Sequence, residues 1–302
     1  MLNTMFFLIL LLLFPVDAFA WGIGVHLEIG SHMLSQLALF PAEVARVLAA
    51  APYDFLYGCI SADITLGKKY THHLKHCHRW RMGKKILDKA QGEQQLACAY
   101  GYLCHLAADT IAHNYFVPFK MVRTFNTVLL NHAYWELRIE AHVDEQIWPL
   151  AREVARRNYR ENDDLMRSVL SNTLFSFGTN KRIFNSLLLL NRLQQWQKTI
   201  RSLDTTSKWK ISDEDRKEYL LLAREAALSI LKNFEKSPSR KADPAGERAL
   251  SVASALRSNL KSLWLDGKLP EREVQELLLQ FKPRFRDAIN QPRQLLDLLS
   301  LD

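Results

Sequence analysis

Apolar residues recur along most of the chain with the spacing of amphipathic helices, and few segments alternate as strands do. The pattern predicts a helical segment that starts at Ser31, breaks at Pro41 and resumes over 42–50. Two further helices are predicted over 92–117 and over 132–148, the stretch "HAYWELRIEAHVDEQIW". Together these elements predict an all-α protein.

Local signals mark helix ends in the second half of the chain. Ser212 with Asp215 three residues later is typical of a helix N-cap. Asp266-Gly267 is typical of a turn between two amphipathic helices. The polar stretch 237–246, "SPSRKADPAG", is the best linker candidate, because its composition does not favour packing in a core.

The first twenty residues have the pattern of a secretory leader. An unbroken apolar run over 5–14 is followed by the small-x-small ending "AFA" at 18–20. The run is too short for a comfortable membrane span, and no later segment is apolar and uncharged for long enough to span a bilayer. The pattern predicts a signal peptide over 1–20 and a secreted or periplasmic protein that begins at Trp21, with no transmembrane segment.

Charge and cysteine content narrow the class of partner only slightly. Loss of the leader removes Asp17 and no basic residue, so the net charge of +8 becomes +9. Such a surface favours polyanions and anionic membrane surfaces, without choosing between them. The cysteines are too few for a disulfide scaffold and are interpreted as small core residues, although export would permit a bridge. They are Cys59, Cys77, Cys98 and Cys104.

The histidines carry the chemical signal. All ten lie between His26 and His142, and none follows. His105, Asp109 and His113 are spaced four residues apart, so one helical face would present two imidazoles and a carboxylate. A second helix would present His132 and Glu136 in the same way. Packing these faces together would form a site for zinc or another divalent transition metal, so we place the function before residue 143.

A loop and the mature terminus add further candidate ligands. The loop "SADITLGKKYTHHLKHCHRW" contains Asp63 and four histidines, namely His72, His73, His76 and His78. His76 and His78 flank Cys77, so an extended segment would point both imidazoles the same way, with one as a ligand and the other beside it. Cleavage after residue 20 would also leave a free α-amine on Trp21, which is a nitrogen ligand when unprotonated.

The combination of "WGIGVH", Asp63, "HCHRW", "HLAADTIAH" and "HAYWE" resembles the zinc-dependent phospholipase C family. The resemblance extends more distantly to the fungal zinc nucleases that cut single-stranded nucleic acid. It implies an all-helical fold with three zinc ions, one of them held by the amine and carbonyl of an N-terminal Trp. It covers roughly residues 21–145, so we predict a metal-binding domain there and a helical C-terminal region over 146–302.

The resemblance also implies three ligand sets. One zinc takes Asp63, His105, Asp109 and either His78 or His76, with His78 preferred. A second takes the Trp21 terminus, His26 or the competing His32, and the other oxygen of Asp109. The third takes His113, His132 and Glu136, with His142 as a substitute ligand. Family members usually place more residues between the bridging Asp and the next His than the step from Asp109 to His113.

The implied reaction is phosphodiester hydrolysis through a metal-bridging hydroxide, with Asp63 orienting or deprotonating the attacking water. Phospholipid headgroups at a membrane surface are the first substrate class. A nuclease acting on single-stranded nucleic acid and a non-catalytic, metal-stabilised binding protein remain alternatives. Aromatic residues near the ligands would either line an apolar mouth or belong to the core. They are Phe116, Phe119, Tyr134 and Trp135.

Overall fold

The computed structural model describes residues 21–64, 77–127, 132–170, 176–190 and 209–298. All regular structure in these ranges is helical, so the predicted all-α fold is confirmed. The α-helices are α1 (Ile23–Leu34), α2 (Ala42–Ala50), α3 (Pro52–Ser61), α4 (Trp80–Lys89), α5 (Gly92–Ile111), α6 (Val117–Arg123), α7 (His132–Glu140), α8 (Ile147–Arg156), α9 (Arg160–Val169), α10 (Phe177–Leu190), α11 (Asp213–Lys232), α12 (Glu247–Leu265) and α13 (Glu271–Asp287). Short 3₁₀ turns occupy Leu37–Leu39, Ala62–Ile64, Pro238–Lys241 and Pro292–Leu298, and a π-helical turn occupies Ala112–Phe116.

Two predicted helices have different bounds in the structure. The predicted start at Ser31 is wrong, because α1 begins at Ile23, where the Glu140 carboxylate accepts hydrogen bonds from the first helical turn. The helix predicted over 132–148 is interrupted between Glu140 and Ile147. The predicted N-cap is confirmed, since the Ser212 hydroxyl accepts a hydrogen bond from the backbone at the start of α11.

The central helix α5 contacts α3 backbone to backbone. A Cβ atom on Gly58 would lie 2.1 Å from the Cys98 carbonyl oxygen, and one on Gly101 would lie 2.0 Å from the Phe55 carbonyl oxygen. Only glycine permits this approach. Since α3 leads directly into the 3₁₀ turn that carries Asp63, the close crossing brings this carboxylate to the face of α5.

The hydrophobic core is continuous from the first half of the chain into the second. The Tyr219 ring of α11 lies 4.9 Å from the ring of Tyr115 and 4.8 Å from that of Phe116. The four cysteines are buried and form no disulfide bond, which fits their interpretation as core residues. The division at residues 145 and 146 stays a prediction, although the described parts of both regions share this core.

None of the helices among the described residues is long and apolar enough to cross a membrane.

A buried lysine ties α6 to the second half of the chain. Lys120 is fully buried, and its Nζ lies 2.5 Å from Asp215 Oδ2. Asp215 Oδ1 also accepts a hydrogen bond from Lys282 of α13 at 2.8 Å. Burial lowers the pKa of Lys120 to about 8, although the Asp215 charge acts in the opposite direction. The carboxylate is therefore what makes a charged Lys120 tolerable in the core.

Asp215→Ala is expected to lower the free energy of unfolding by about 3 kcal/mol at neutral pH, because it leaves a buried ammonium without its carboxylate. Asp215 raises the folded pKa of Lys120, so in the variant this pKa falls still further below the unfolded value. The variant therefore gains stability with rising pH over a wider range than the unaltered protein, in which the rise begins at about pH 8. Part of the loss should therefore be recovered at about pH 9. Urea denaturation measures both values. The control is Lys120→Met combined with Asp215→Ala, and an equal recovery there would contradict the explanation.

Candidate metal centre

Asp109 lies at the centre of a buried group of imidazoles. Its Oδ2 is 3.1 Å from the Nε2 atoms of both His78 and His105, and its Oδ1 is 3.3 Å from His26 Nε2. All four side chains are almost fully buried. The two oxygens of one carboxylate therefore face different histidines, which is the arrangement that a bridging carboxylate requires.

Asp63 completes the group on the Oδ2 side. Its Oδ1 lies 3.3 Å from His78 Nε2 and 4.0 Å from His105 Nε2, and these two Nε2 atoms are 3.1 Å apart. A tetrahedral zinc ion with bonds of about 2.0–2.1 Å needs ligand atoms roughly 3.3 Å apart. The donor atoms thus have the mutual spacing and the chemical type of a zinc site.

Hydrogen bonds fix which nitrogen of two histidines faces the clusters. His105 Nδ1 donates to the Cys59 carbonyl oxygen at 2.8 Å, and His113 Nδ1 donates to the Pro244 carbonyl oxygen at 2.5 Å. A carbonyl oxygen can only accept, so both Nδ1 atoms carry the proton. In the neutral rings each Nε2 then presents a lone pair, as metal ligation requires. Among the described residues, the buried His113 Nε2 has no hydrogen-bond partner.

Burial favours the neutral forms of His26 and His113, while the histidines around Asp109 favour its ionised form. Burial lowers the pKa of His113 to about 3. Burial, helped by the nearby His105, also lowers the pKa of His26. Burial alone would raise the pKa of Asp109, but the adjacent His105 and the hydrogen bonds with His105, His26 and His78 hold this pKa well below its usual range. These are the protonation states that bind a metal ion.

A further cluster consists of His113, His132 and Glu136, whose donor atoms lie within 4.8 Å of one another. His132 Nε2 is 2.7 Å from Glu136 Oε1, one turn along α7. The imidazole rings of His113 and His78 are 6.5 Å apart, so this cluster adjoins the one around Asp109. The His132 side chain, at 19% exposure, is the most accessible member.

The π-helical turn at Ala112–Phe116 lies at the junction of the clusters. Pro118 has no backbone N–H, so it cannot donate to the Asn114 carbonyl as an ordinary helical residue would. A wider turn in front of Pro118 accommodates the missing bond. His113 is the second residue of this turn and belongs to the cluster with His132 and Glu136.

The N-terminal segment is held against the site by Glu140. Its Oε1 accepts a hydrogen bond from the Gly24 backbone at 2.8 Å, and its Oε2 accepts one from Val25 at 3.2 Å. This carboxylate lies at the N-terminal end of α1, where it interacts favourably with the helix dipole. The Trp21 side chain is fully buried, with its ring 6.4 Å from that of His26. Trp21 and His26 are thus placed together beside Asp109.

The structure shows where the described candidates from the sequence lie. His26 lies in a cluster, whereas the half-buried His32 and His142 lie in none of those formed by the described residues. His78 is likewise in a cluster. The other loop histidines, His72, His73 and His76, lie outside the described residues.

The nearby aromatics belong mainly to the core. Phe116, Phe119 and Trp135 are buried, and Tyr134 is half-buried. This location favours the core alternative over an apolar mouth.

Sequence reasoning missed Glu140 and the Pro244 carbonyl. Glu140 continues the four-residue spacing of His132 and Glu136, so extending that pattern by one step would have identified it. The Pro244 carbonyl is a backbone group more than a hundred residues from His113, and no side-chain pattern could have indicated it.

The fold and the clusters define an all-α protein whose buried imidazoles and carboxylates could hold metal ions. Comparison with protein families gives a match to the family described as "Zinc dependent phospholipase C" over residues 25–180, just over half of the chain. The chain belongs to this family, as the resemblance predicted, and is a zinc-dependent hydrolase of the phospholipase C type. Comparisons with curated proteins and with solved structures gave no match.

Proposed function

We propose that the mature chain is an exported phospholipase C that hydrolyses the phosphodiester between diacylglycerol and a phospholipid headgroup. The observation that carries this proposal is the Asp109 carboxylate, whose two oxygens face separate imidazoles at 3.1–3.3 Å. A carboxylate in this position can join two metal ions. Hydrolysis of a phosphodiester by paired metal ions is a general reaction class.

We assign three ligand sets from the clusters and, for Trp21, from the family resemblance. The first consists of Asp63, His78, His105 and Asp109 Oδ2. The second consists of His26, Asp109 Oδ1 and the terminal amine and carbonyl of Trp21. The third consists of His113, His132 and Glu136. The donor spacing and the fixed tautomers of His105 and His113 support these sets.

The chain's own residues have distinct roles in the proposed reaction. Bound zinc ions would polarise the phosphoryl oxygens and lower the pKa of the attacking water. The Asp63 carboxylate would orient this water and accept its proton. Asp109 would hold the first two ligand sets at a fixed separation, while the carbonyl partners of His105 and His113 keep their rings in place. Substrate would approach from the side of His132, the least buried side chain of the three ligand sets.

Export is part of the proposal because the second set needs a free amine on Trp21. Cleavage of the leader after residue 20 would supply it. The complete burial of the Trp21 side chain near His26 supports this role.

The substrate is tested with the purified protein that begins at Trp21. We expect diacylglycerol release from phospholipid vesicles and no comparable cleavage of single-stranded DNA. Cleavage of single-stranded DNA without diacylglycerol release would show that the protein is a nuclease and not a phospholipase C. Zinc binding without either activity would favour the metal-stabilised binding protein.

Asp63→Asn is expected to lower kcat for diacylglycerol release by about 100-fold, because an amide cannot accept the proton of the attacking water. The folded structure and most of the bound zinc should remain, which circular dichroism and metal analysis will show. Asp164→Asn is the matched control, since the same change is made on an exposed carboxylate that pairs with Arg167. Unchanged turnover in Asp63→Asn would show that Asp63 has no part in proton transfer.

A further inference from the structure

The stretch 242–247, which we term the clasp, packs against the candidate metal centre. The clasp consists of Ala242, Asp243, Pro244, Ala245, Gly246 and Glu247. It includes the end of the linker candidate 237–246 and lies outside the residues matched by the family. The polar composition of the linker candidate did not predict that this stretch packs against the protein. It packs nevertheless, because most of its contacts use backbone carbonyls and carboxylates rather than apolar side chains.

One side of the clasp holds the π-helical turn of His113. The Pro244 carbonyl accepts the Nδ1 proton of His113 at 2.5 Å, and the Asp243 carbonyl accepts a hydrogen bond from Asn114 Nδ2 at 2.8 Å. His113 and Asn114 are both buried. The clasp therefore selects the His113 tautomer and also fixes the backbone segment that carries the ring.

The other side of the clasp holds the residues that follow His78. Arg79 Nη1 lies 2.9 Å from Asp243 Oδ1, and Arg79 Nη2 donates to Glu247 Oε1. Trp80 Nε1 donates to the Ala242 carbonyl at 2.8 Å. One short segment thus binds both His113 itself and the two residues that follow His78.

We propose that the clasp is a positioning element for zinc binding at His113, contributed by the C-terminal region. This inference rests on the proposed role of His113 as a ligand. The Pro244 carbonyl directs the Nε2 lone pair of His113 towards His132 and Glu136. The ion pairs of Arg79 with Asp243 and Glu247 hold the clasp beside the segment that carries His78. The zinc centre accordingly requires residues far beyond those of the metal-binding half.

Gly246 gives a specific way to disturb the clasp. Its φ is 61°, and a Cβ atom there would lie 2.4 Å from both the Cβ and the carbonyl oxygen of His113. An alanine would therefore push the clasp away from His113. Gly267 has a nearly identical φ of 69° but no atom within 4 Å of its Cβ position. Gly267→Ala is the matched control, because it introduces the same backbone strain without the contact.

The test is a zinc titration of the full mature chain by competition with a chelator. Gly246→Ala should weaken the binding of one zinc ion by about 10–100-fold, the usual effect of losing a partner of a ligating histidine. Excess zinc should restore occupancy. Gly267→Ala should bind every ion as the unaltered protein does. Equal weakening in both variants, or none in Gly246→Ala, would overturn the clasp.

A variant of the ligand itself separates failure of the clasp from failure of the proposed function. His113→Gln should lose the same ion, and adding Gly246→Ala to it should cause no further loss, because both act on one site. Additional zinc loss in the double variant would mean general damage and would count against the clasp. Full zinc binding by His113→Gln would remove both the ligand assignment and the clasp. Zinc loss in His113→Gln together with full zinc binding by Gly246→Ala would contradict the role of the clasp and leave His113 as a ligand.

Discussion

Asp109→Asn should abolish binding of two zinc ions and lower kcat/KM for diacylglycerol release by at least about 1000-fold, equivalent to roughly 4 kcal/mol. The substitution keeps the shape of the side chain but replaces one carboxylate oxygen by an NH₂ group that cannot bind a metal. Both oxygens face imidazole Nε2 atoms, so either orientation of the amide removes a ligand from one proposed set. The remaining oxygen is also uncharged. Metal analysis and the vesicle assay measure the two effects.

The control must separate loss of metal from loss of fold. Asp163→Asn alters a buried carboxylate that accepts hydrogen bonds from Tyr57 and Lys181, away from the ligand clusters. It should cost stability without changing the number of bound ions. If Asp109→Asn keeps its zinc and its activity, the carboxylate does not bridge metals and the proposed centre is wrong.

Spacing within a single helix was the most reliable sequence signal. His105 with Asp109, and His132 with Glu136, come together because helical geometry places residues four apart on one face whatever surrounds them. The resemblance added the residues that spacing could not connect. It grouped Asp63 with His78 and His105 from three separate segments, and the structure places their donor atoms within 4.8 Å of one another.

Features set by tertiary contacts were beyond the sequence. The sequence predicts a regular helix over 92–117, but a π-helical turn at Ala112–Phe116 interrupts it and carries His113. The start of α1 at Ile23 depends on Glu140, 116 residues from the Gly24 backbone that it binds. The clasp has the composition of a linker and is nevertheless fixed by charged and backbone groups. Periodicity records which residues are apolar, whereas these features depend on polar contacts between distant segments.

Extending the mature N-terminus by one residue, so that Ala20 precedes Trp21, should release one zinc ion and lower kcat for diacylglycerol release by about 1000-fold. The added peptide bond turns the terminal amine into an amide, whose nitrogen lone pair is delocalised and cannot bind a metal. The Trp21 side chain is fully buried, with its ring 6.4 Å from that of His26, so the proposed amine ligand belongs to a residue that packs beside another ligand candidate. Metal analysis and N-terminal sequencing of the same sample provide the measurement.

A change of the indole is the matched control for this variant. Trp21→Phe keeps the amine and the carbonyl while reducing the ring, so it should retain all zinc ions and lose mainly stability, since a buried aromatic side chain becomes smaller. The second ligand set would then still contain the terminal amine and carbonyl together with Asp109 Oδ1 and His26. Full zinc occupancy in the extended protein would show that the amine is not a ligand. The second ligand set depends on that amine, which cleavage of the leader would supply. Full occupancy would therefore mean that zinc binding does not require export.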